Sequence, residues 1–282
     1  MSIDISWLQA QFPSVSVLTP LSKGGQKEVF LADTSDLGKV VLKIYHPKSD
    51  PQRVLREIQA VQAIQSPRVP NILQSGIKDS PLGELIWIFE EHIGGENLAE
   101  LLTGQGTLNT TQILKLTVQI LEVLEIAENN QIVHRDIKPA NIIVDQNGDF
   151  WLIDFGIARH LSLESLTDTV SKFGPCTPGY SPPEQFKNSK SEIDTRADLF
   201  ALGVTLYESW EGINPFIAQN FPDTLSRTEK MPLPELSKSV DSANDFAQFI
   251  KSITAKRPGH RPQNAKDALD WIREICDQEG IS

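Results

Sequence analysis

The chain has 282 residues, 39% of them hydrophobic, and carries 26 Lys and Arg against 37 Asp and Glu for a net charge of -11. This is ordinary globular composition, enough for one large domain or two lobes, and so acidic a chain is not expected to bind nucleic acid or an anionic membrane through bulk charge. Only Cys176 and Cys276 occur, the N-terminal MSIDISWLQAQFP lacks the features of a signal peptide, and no apolar run is long enough for a membrane span; the chain reads as reduced and cytoplasmic.

Residues 15 to 44 are expected to be strands: Val15, Val17 and Leu18 open the run, then Val29 to Leu31, then Val40 to Ile44, with a turn around Asp36 to Gly38. Residues 51 to 65 predict a helix, because Pro51 stands near its start and Val54, Leu55, Ile58, Val61 and Ile64 recur at helical spacing. Strands are predicted at 72 to 77 and 85 to 90. After Gly94-Gly95 the texture changes. Residues 110 to 128 are too apolar for a surface helix and read as buried. A hairpin follows, Ile142 to Val144 and Phe150 to Ile153 around Asn147-Gly148, the strongest short turn signal. Residues 157 to 183, rich in Ser, Thr and Pro, predict a long loop, and helices return at 195 to 210, 241 to 254 and 264 to 276. A strand-rich lobe joined to a helical one leaves a cleft, where ligands usually sit.

The chemistry concentrates in His134-Arg135-Asp136-Ile137-Lys138-Pro139-Ala140-Asn141, followed by Asp154-Phe155-Gly156. Asp136 and Asn141 precede the hairpin and Asp154 follows it, so the fold-back can bring all three polar groups to one point. Phosphoryl transfer needs oxygen ligands for Mg²⁺ and a carboxylate that orients the incoming hydroxyl. Any one of these aspartates alone reads as a turn residue or a cap; the ordered set does not.

With these residues the sequence resembles the eukaryotic-type (Hanks-type) protein kinases over nearly its whole length. The resemblance implies an α+β, two-lobed fold with lobes at 1–92 and 93–282, and ATP and Mg²⁺ as cofactors. It makes Asp136 the catalytic base and Asn141 and Asp154 the metal ligands. Lys138 becomes the γ-phosphate contact typical of serine/threonine kinases. Val40-Val41-Leu42-Lys43 resembles the strand whose lysine grips the α- and β-phosphates, with Glu57 on the next helix as its partner.

The stretch Leu21-Ser22-Lys23-Gly24-Gly25-Gln26-Lys27-Glu28-Val29 aligns with the family's glycine loop, where Gly24 matches and Gly25 stands beside it. Ser22 and Lys27 replace the outer glycines. Lys27 either supplies charge to the phosphates or blocks the site, and read alone the segment is an ordinary hairpin turn. Phe89 to Glu96 resembles the hinge: Phe89 as gatekeeper, the backbones of Glu90 and His92 reading adenine, Glu96 on the ribose. Leu21, Val29, Val41 and Ile143 are expected to sandwich the base, though plain core packing suits them equally.

Thr177-Pro178-Gly179-Tyr180-Ser181-Pro182-Pro183-Glu184 resembles the end of an activation segment. The likeness assigns Thr177 to a contact with Asp136 and Lys138, and makes Glu184 a buried acid needing Arg261 as partner. Asp198 braces the catalytic loop on the same reading, with a simple N-cap as the alternative. Arg135, directly before Asp136, marks kinases whose loop is ordered by a phosphate; Arg159 is a second candidate ligand, and Thr169 and Ser171 are the nearest acceptors. The expected partners are proteins with Ser or Thr acceptors. A nucleotide-binding pseudokinase scaffold and a small-molecule kinase of related fold are the alternatives.

Overall fold

The computed structural model describes residues 4–23, 27–45, 58, 61–62, 64–80, 83–155, 176–187, 193–241 and 244–281. The chain opens with helix α1 (Ile5–Gln11), capped by Asp4, whose carboxylate accepts from the Trp7 amide at 2.9 Å. Five strands follow: β1 (Val15–Lys23), β2 (Lys27–Thr34), β3 (Gly38–Tyr45), β4 (Ile72–Ser80) and β5 (Gly83–Glu91). They form one antiparallel sheet in the order β1-β2-β3-β5-β4.

Alternation gives this sheet two faces. Val40, Leu42 and Ile44 point to a core with Phe30, Ala32, Leu85 and Phe89, closed from outside by Leu8 of α1 and by Phe12, which follows it. Phe12 meets the edges of Trp87 and Phe89 at 5.2 and 5.4 Å between centroids. Val41, Lys43 and Tyr45 lie on the opposite face, where they pair with Glu90, Ile88 and Ile86 of β5. Of the helix expected over 51 to 65, Ile58, Val61 and Gln62 are helical and Ile64 lies past its end; the remainder lies outside the described residues.

A short strand β6 (Gly95–Asn97) pairs with the hairpin β7 (Ile142–Asp145) and β8 (Phe150–Leu152). Gly95 is required there: it sits at φ 151°, and a Cβ would stand 2.1 Å from the Val144 carbonyl oxygen. The helical part is built on α3 (Thr110–Asn129), which buries Ile113, Leu114, Leu116, Ile120, Leu121, Val123 and Leu124. Around it pack α5 (Thr195–Glu211), α7 (Asp245–Ile253) and α8 (Ala265–Gln278), numbered after α2 (Leu98–Gln105), α4 (Pro183–Phe186) and α6 (Phe221–Lys230). Gly203 lets α5 approach α7, since a Cβ would lie 2.5 Å from Thr254 Cγ2. This is the two-lobed α+β arrangement that the motifs implied.

The differences lie mainly at ends and in small elements. Strands β4 and β5 run longer than expected, to Ser80 and from Gly83. Helix α7 starts at Asp245 because the Asp241 carboxylate accepts from the Asp245 and Phe246 amides, at 2.7 and 3.1 Å. Helices α1, α2, α4 and α6 were not foreseen, although Asp4, the Asn97/Glu100 capping box and Asn220 are readable start signals.

Candidate active site

The catalytic loop rests on backbone held in unusual conformations. Arg135 and Asp154 both sit at positive φ, 65° and 62°, a region costly for residues with a Cβ and retained where surrounding bonds over-determine it. Those bonds are visible. Asp198 lies in the first turn of α5 and its two carboxylate oxygens accept from the His134 and Arg135 amides, each at 2.7 Å. The cap of α5 is Asp194, so Asp198 is free for this task and the N-cap alternative falls. His134 Nε2 lies 2.9 Å from the Ile153 carbonyl oxygen, tying the loop to the residue before Asp154. Gln185 donates to the Arg135 carbonyl at 2.8 Å, a support the sequence did not suggest.

Asp136 stands at the centre of a polar cluster. Its Oδ1 accepts from the Thr177 hydroxyl at 2.7 Å, and its Oδ2 from Lys138 Nζ at 3.0 Å and Asn141 Nδ2 at 3.1 Å. Lys138 also reaches Thr177 Oγ1 at 3.4 Å. The Asn141 amide nitrogen makes a second bond to the Asp136 carbonyl at 2.8 Å, and the Asn141 carbonyl accepts from the Ile153 amide at 3.0 Å. Catalytic loop, hairpin and the segment at Thr177 are thereby brought to one point, although residues 136, 154 and 177 are far apart in the chain.

Asp154 carries the second cluster. Lys43 Nζ lies 2.6 Å from Oδ1 and Lys27 Nζ 2.6 Å from Oδ2. Lys27 shares its sheet face with Val29 and Lys43, which explains its reach into the cleft. Burial works against the Asp154 charge, but Lys43 and Lys27 overcome it and hold the carboxyl well below the usual carboxylate range. Burial likewise opposes the Lys43 charge, and the Asp154 and Glu90 carboxylates more than reverse it, raising the ammonium above the ordinary lysine value.

The hinge departs from expectation. Register pairs Leu42 with Phe89 and Val41 with Glu90, so the Phe89 side chain lies on the far face of the sheet. There it packs with Phe12 and Trp87 and does not face the cleft. Glu90 faces the cleft instead, buried, and forms an ion pair with Lys43. Val29 and Val41 share that face, Leu21 is exposed, and Ile143 is half-buried beside the buried Ile142. His92 follows the end of β5, and Glu96 lies in β6, exposed. Gly24, Gly25, Glu57, Arg159, Thr169 and Ser171 lie outside the described residues.

The residues fit a divalent metal by their chemistry. With its nitrogen committed twice to Asp136, Asn141 presents its amide oxygen, and Asp154 is an ionised carboxylate, so both are hard oxygen donors. At Asp154 a metal competes with the lysines now bound there.

A strand-borne lysine on an aspartate across the cleft, together with a second aspartate held by lysine, threonine and asparagine, defines a phosphotransferase of the protein kinase fold. The protein kinase domain model matches residues 16–275, and the chain belongs to that family, whose members use ATP and divalent metal. It is similar to the serine/threonine-protein kinase PrkC of Bacillus subtilis, 32% identical over 279 residues, 94% of this chain and 41% of the relative. It also resembles the serine/threonine-protein kinase pkn2 of Myxococcus xanthus, 31% identical over 91% of this chain and 32% of that protein. PknB of Mycobacterium tuberculosis is 29% identical over 90% of this chain and 41% of its own length. The chain thus spans about two fifths or less of these curated relatives. Among the described residues no helix is long and apolar enough to cross a membrane.

Proposed function

We propose that the chain transfers the γ-phosphoryl group of Mg·ATP to serine and threonine hydroxyls of protein substrates. The observation that carries this reading is the Asp136 cluster: one carboxylate held by Thr177, Lys138 and Asn141 at 2.7 to 3.1 Å. Asp136 orients the acceptor hydroxyl and receives its proton as the oxygen attacks the γ-phosphorus, the bond to the β,γ-bridging oxygen breaks and ADP leaves. Lys138, beside it, offsets the charge of the transferring group. Lys43 grips the α- and β-phosphates, and Lys27, on the same face, lies close enough to join it. Asn141 and Asp154 would hold Mg²⁺, which when bound neutralises the phosphate oxygens.

The adenine lies between Val29 and Val41 above and Ile143 below, with Leu21 at the lip. Its edge faces the backbone from Glu90 to His92, and the ribose faces Glu96. The division of the chain falls at 92/93. The bond from Lys138 to Thr177 favours serine and threonine acceptors, as do the names of the relatives. Cys176 and Cys276 form no disulfide, which suits the cytoplasm. The pseudokinase alternative finds no support, because Lys43, Asp136, Asn141 and Asp154 are all present. Incubation with γ-labelled ATP, Mg²⁺ and a generic protein substrate, followed by identification of the phosphorylated residue, tests the reading.

A further inference from the structure

Glu90 is a buried carboxylate one residue from the end of β5, a costly place for a charge unless a partner holds it. Its pairing with Val41 and that of Ile88 with Lys43 put Glu90 and Lys43 on one face, on neighbouring central strands. The Glu90 and Lys43 side chains are 11% and 7% exposed and form an ion pair. Behind them lies a cavity of about 20 Å³, bordered by Lys43, Tyr45, Glu90, Asp154 and Phe155. That is room for about one water molecule.

An ammonium has three donors. Asp154 takes one at 2.6 Å and Glu90 another, and the third remains for a nucleotide oxygen. Strand positions are fixed by the sheet's register, so a carboxylate on β5 holds Lys43 from within its own sheet, while Asp154 holds it from across the cleft.

We propose that Glu90 is the positioning residue that aims Lys43 at the nucleotide phosphates, the task that the sequence assigns to Glu57. The proposal rests on the kinase reading of the site. It deepens that reading by giving Lys43 a partner on the neighbouring strand of its own sheet. Glu90 acts through Lys43 and touches no reacting atom.

The test compares Glu90→Gln, Glu90→Met and Glu57→Gln with the unsubstituted protein. Titration calorimetry measures binding of a non-hydrolysable ATP analogue with Mg²⁺ and, separately, of adenosine, which has no phosphates. The expected result for Glu90→Gln is about tenfold weaker analogue binding with adenosine affinity within about twofold, and a smaller loss for Glu57→Gln. General damage to the pocket would weaken both ligands together. Glu90→Met, which removes the charge but keeps the volume, should show the same split and supplies the comparison if the glutamine variant fails to fold. Wild-type analogue affinity in a folded Glu90 variant, equal loss of both ligands, or a larger loss in Glu57→Gln overturns the proposal. Binding by the unsubstituted protein measures the kinase reading itself, and the ratio between variants measures Glu90.

Discussion

The Arg261 guanidinium and the Glu184 carboxylate meet in a two-bonded pair, Nη1 to Oε1 at 2.6 Å and Nη2 to Oε2 at 3.1 Å, with both side chains almost wholly excluded from solvent. Arg261 also donates to the carbonyls of Ala255 and Arg196 at 2.7 and 2.8 Å. One residue thus ties α4, which follows the Thr177 segment, to the start of α5 and to the loop before α8. Glu184→Ala strands a buried guanidinium, and the expected cost is about 3–5 kcal/mol. Urea unfolding of the variant measures it.

Asp198 connects the helical core to the catalytic loop. Asn at this position can offer one carbonyl oxygen where two oxygens now accept, so Asp198→Asn should cost about 1–3 kcal/mol. Burial, only partly offset by the Arg135 and His134 amides, pushes the Asp198 carboxyl up to about 7. The folded pKa exceeds the unfolded one, so this group's stabilisation is full below about pH 4 and is lost as pH rises towards 7. Comparing urea unfolding of the protein and of Asp198→Asn from pH 4 to 8 should show a steeper fall with pH in the former than in the latter.

Lys27 bound to Asp154 makes a statement about metal affinity. A divalent ion approaching Asp154 must displace the Lys27 ammonium and sit beside its charge. Lys27→Met should therefore bind Mn²⁺ more tightly in the absence of nucleotide, by roughly tenfold or about 1.4 kcal/mol. Titration followed by electron paramagnetic resonance checks this. Unchanged affinity would mean that the contact does not compete with metal.

Arg135 directly precedes Asp136, and its backbone is fixed by Asp198 and Gln185. A phosphate on Thr169 or Ser171, adding about -1.5 to -2 charges, is expected to pair with Arg135 and Arg159 and raise activity. The double variant Thr169→Ala, Ser171→Ala should stay at basal activity after preincubation with Mg·ATP while the parent protein rises. Equal activity in both would remove these two sites from regulation.

The catalytic loop, hairpin and central strands were legible because their signals are local: alternation in β2 and β3, Asn147-Gly148 at the turn, and the spacing of Asp136, Asn141 and Asp154. The hinge was legible only to within one residue. The likeness of Phe89 to Glu96 to the hinge put Phe89 in the cleft as gatekeeper and gave Glu90 only a backbone role, but the side-chain period of a strand is 2, so a slip of one exchanges the faces. What decides the register is tertiary: Phe89 completes an aromatic cluster with Trp87 and with Phe12 just after a helix not foreseen, and Glu90 can be buried because Lys43, diagonal to it on the neighbouring strand, pairs with it. Helix α1 escaped notice for the same reason. It buries a single side chain within its seven residues, too few to show a period, and its partner surface is the sheet.

The role proposed for Asp136 is to orient a serine or threonine hydroxyl for attack on ATP. Transfer of labelled γ-phosphate to a generic protein substrate, measured for the unsubstituted protein and Asp136→Asn alongside ATP-analogue binding, tests it most directly. Phosphoserine and phosphothreonine products are expected from the unsubstituted protein. A loss on the order of 10²–10⁴ is expected in the variant's transfer rate, with analogue affinity within about threefold. Near-wild-type transfer by Asp136→Asn would contradict it, as would a product found only on tyrosine.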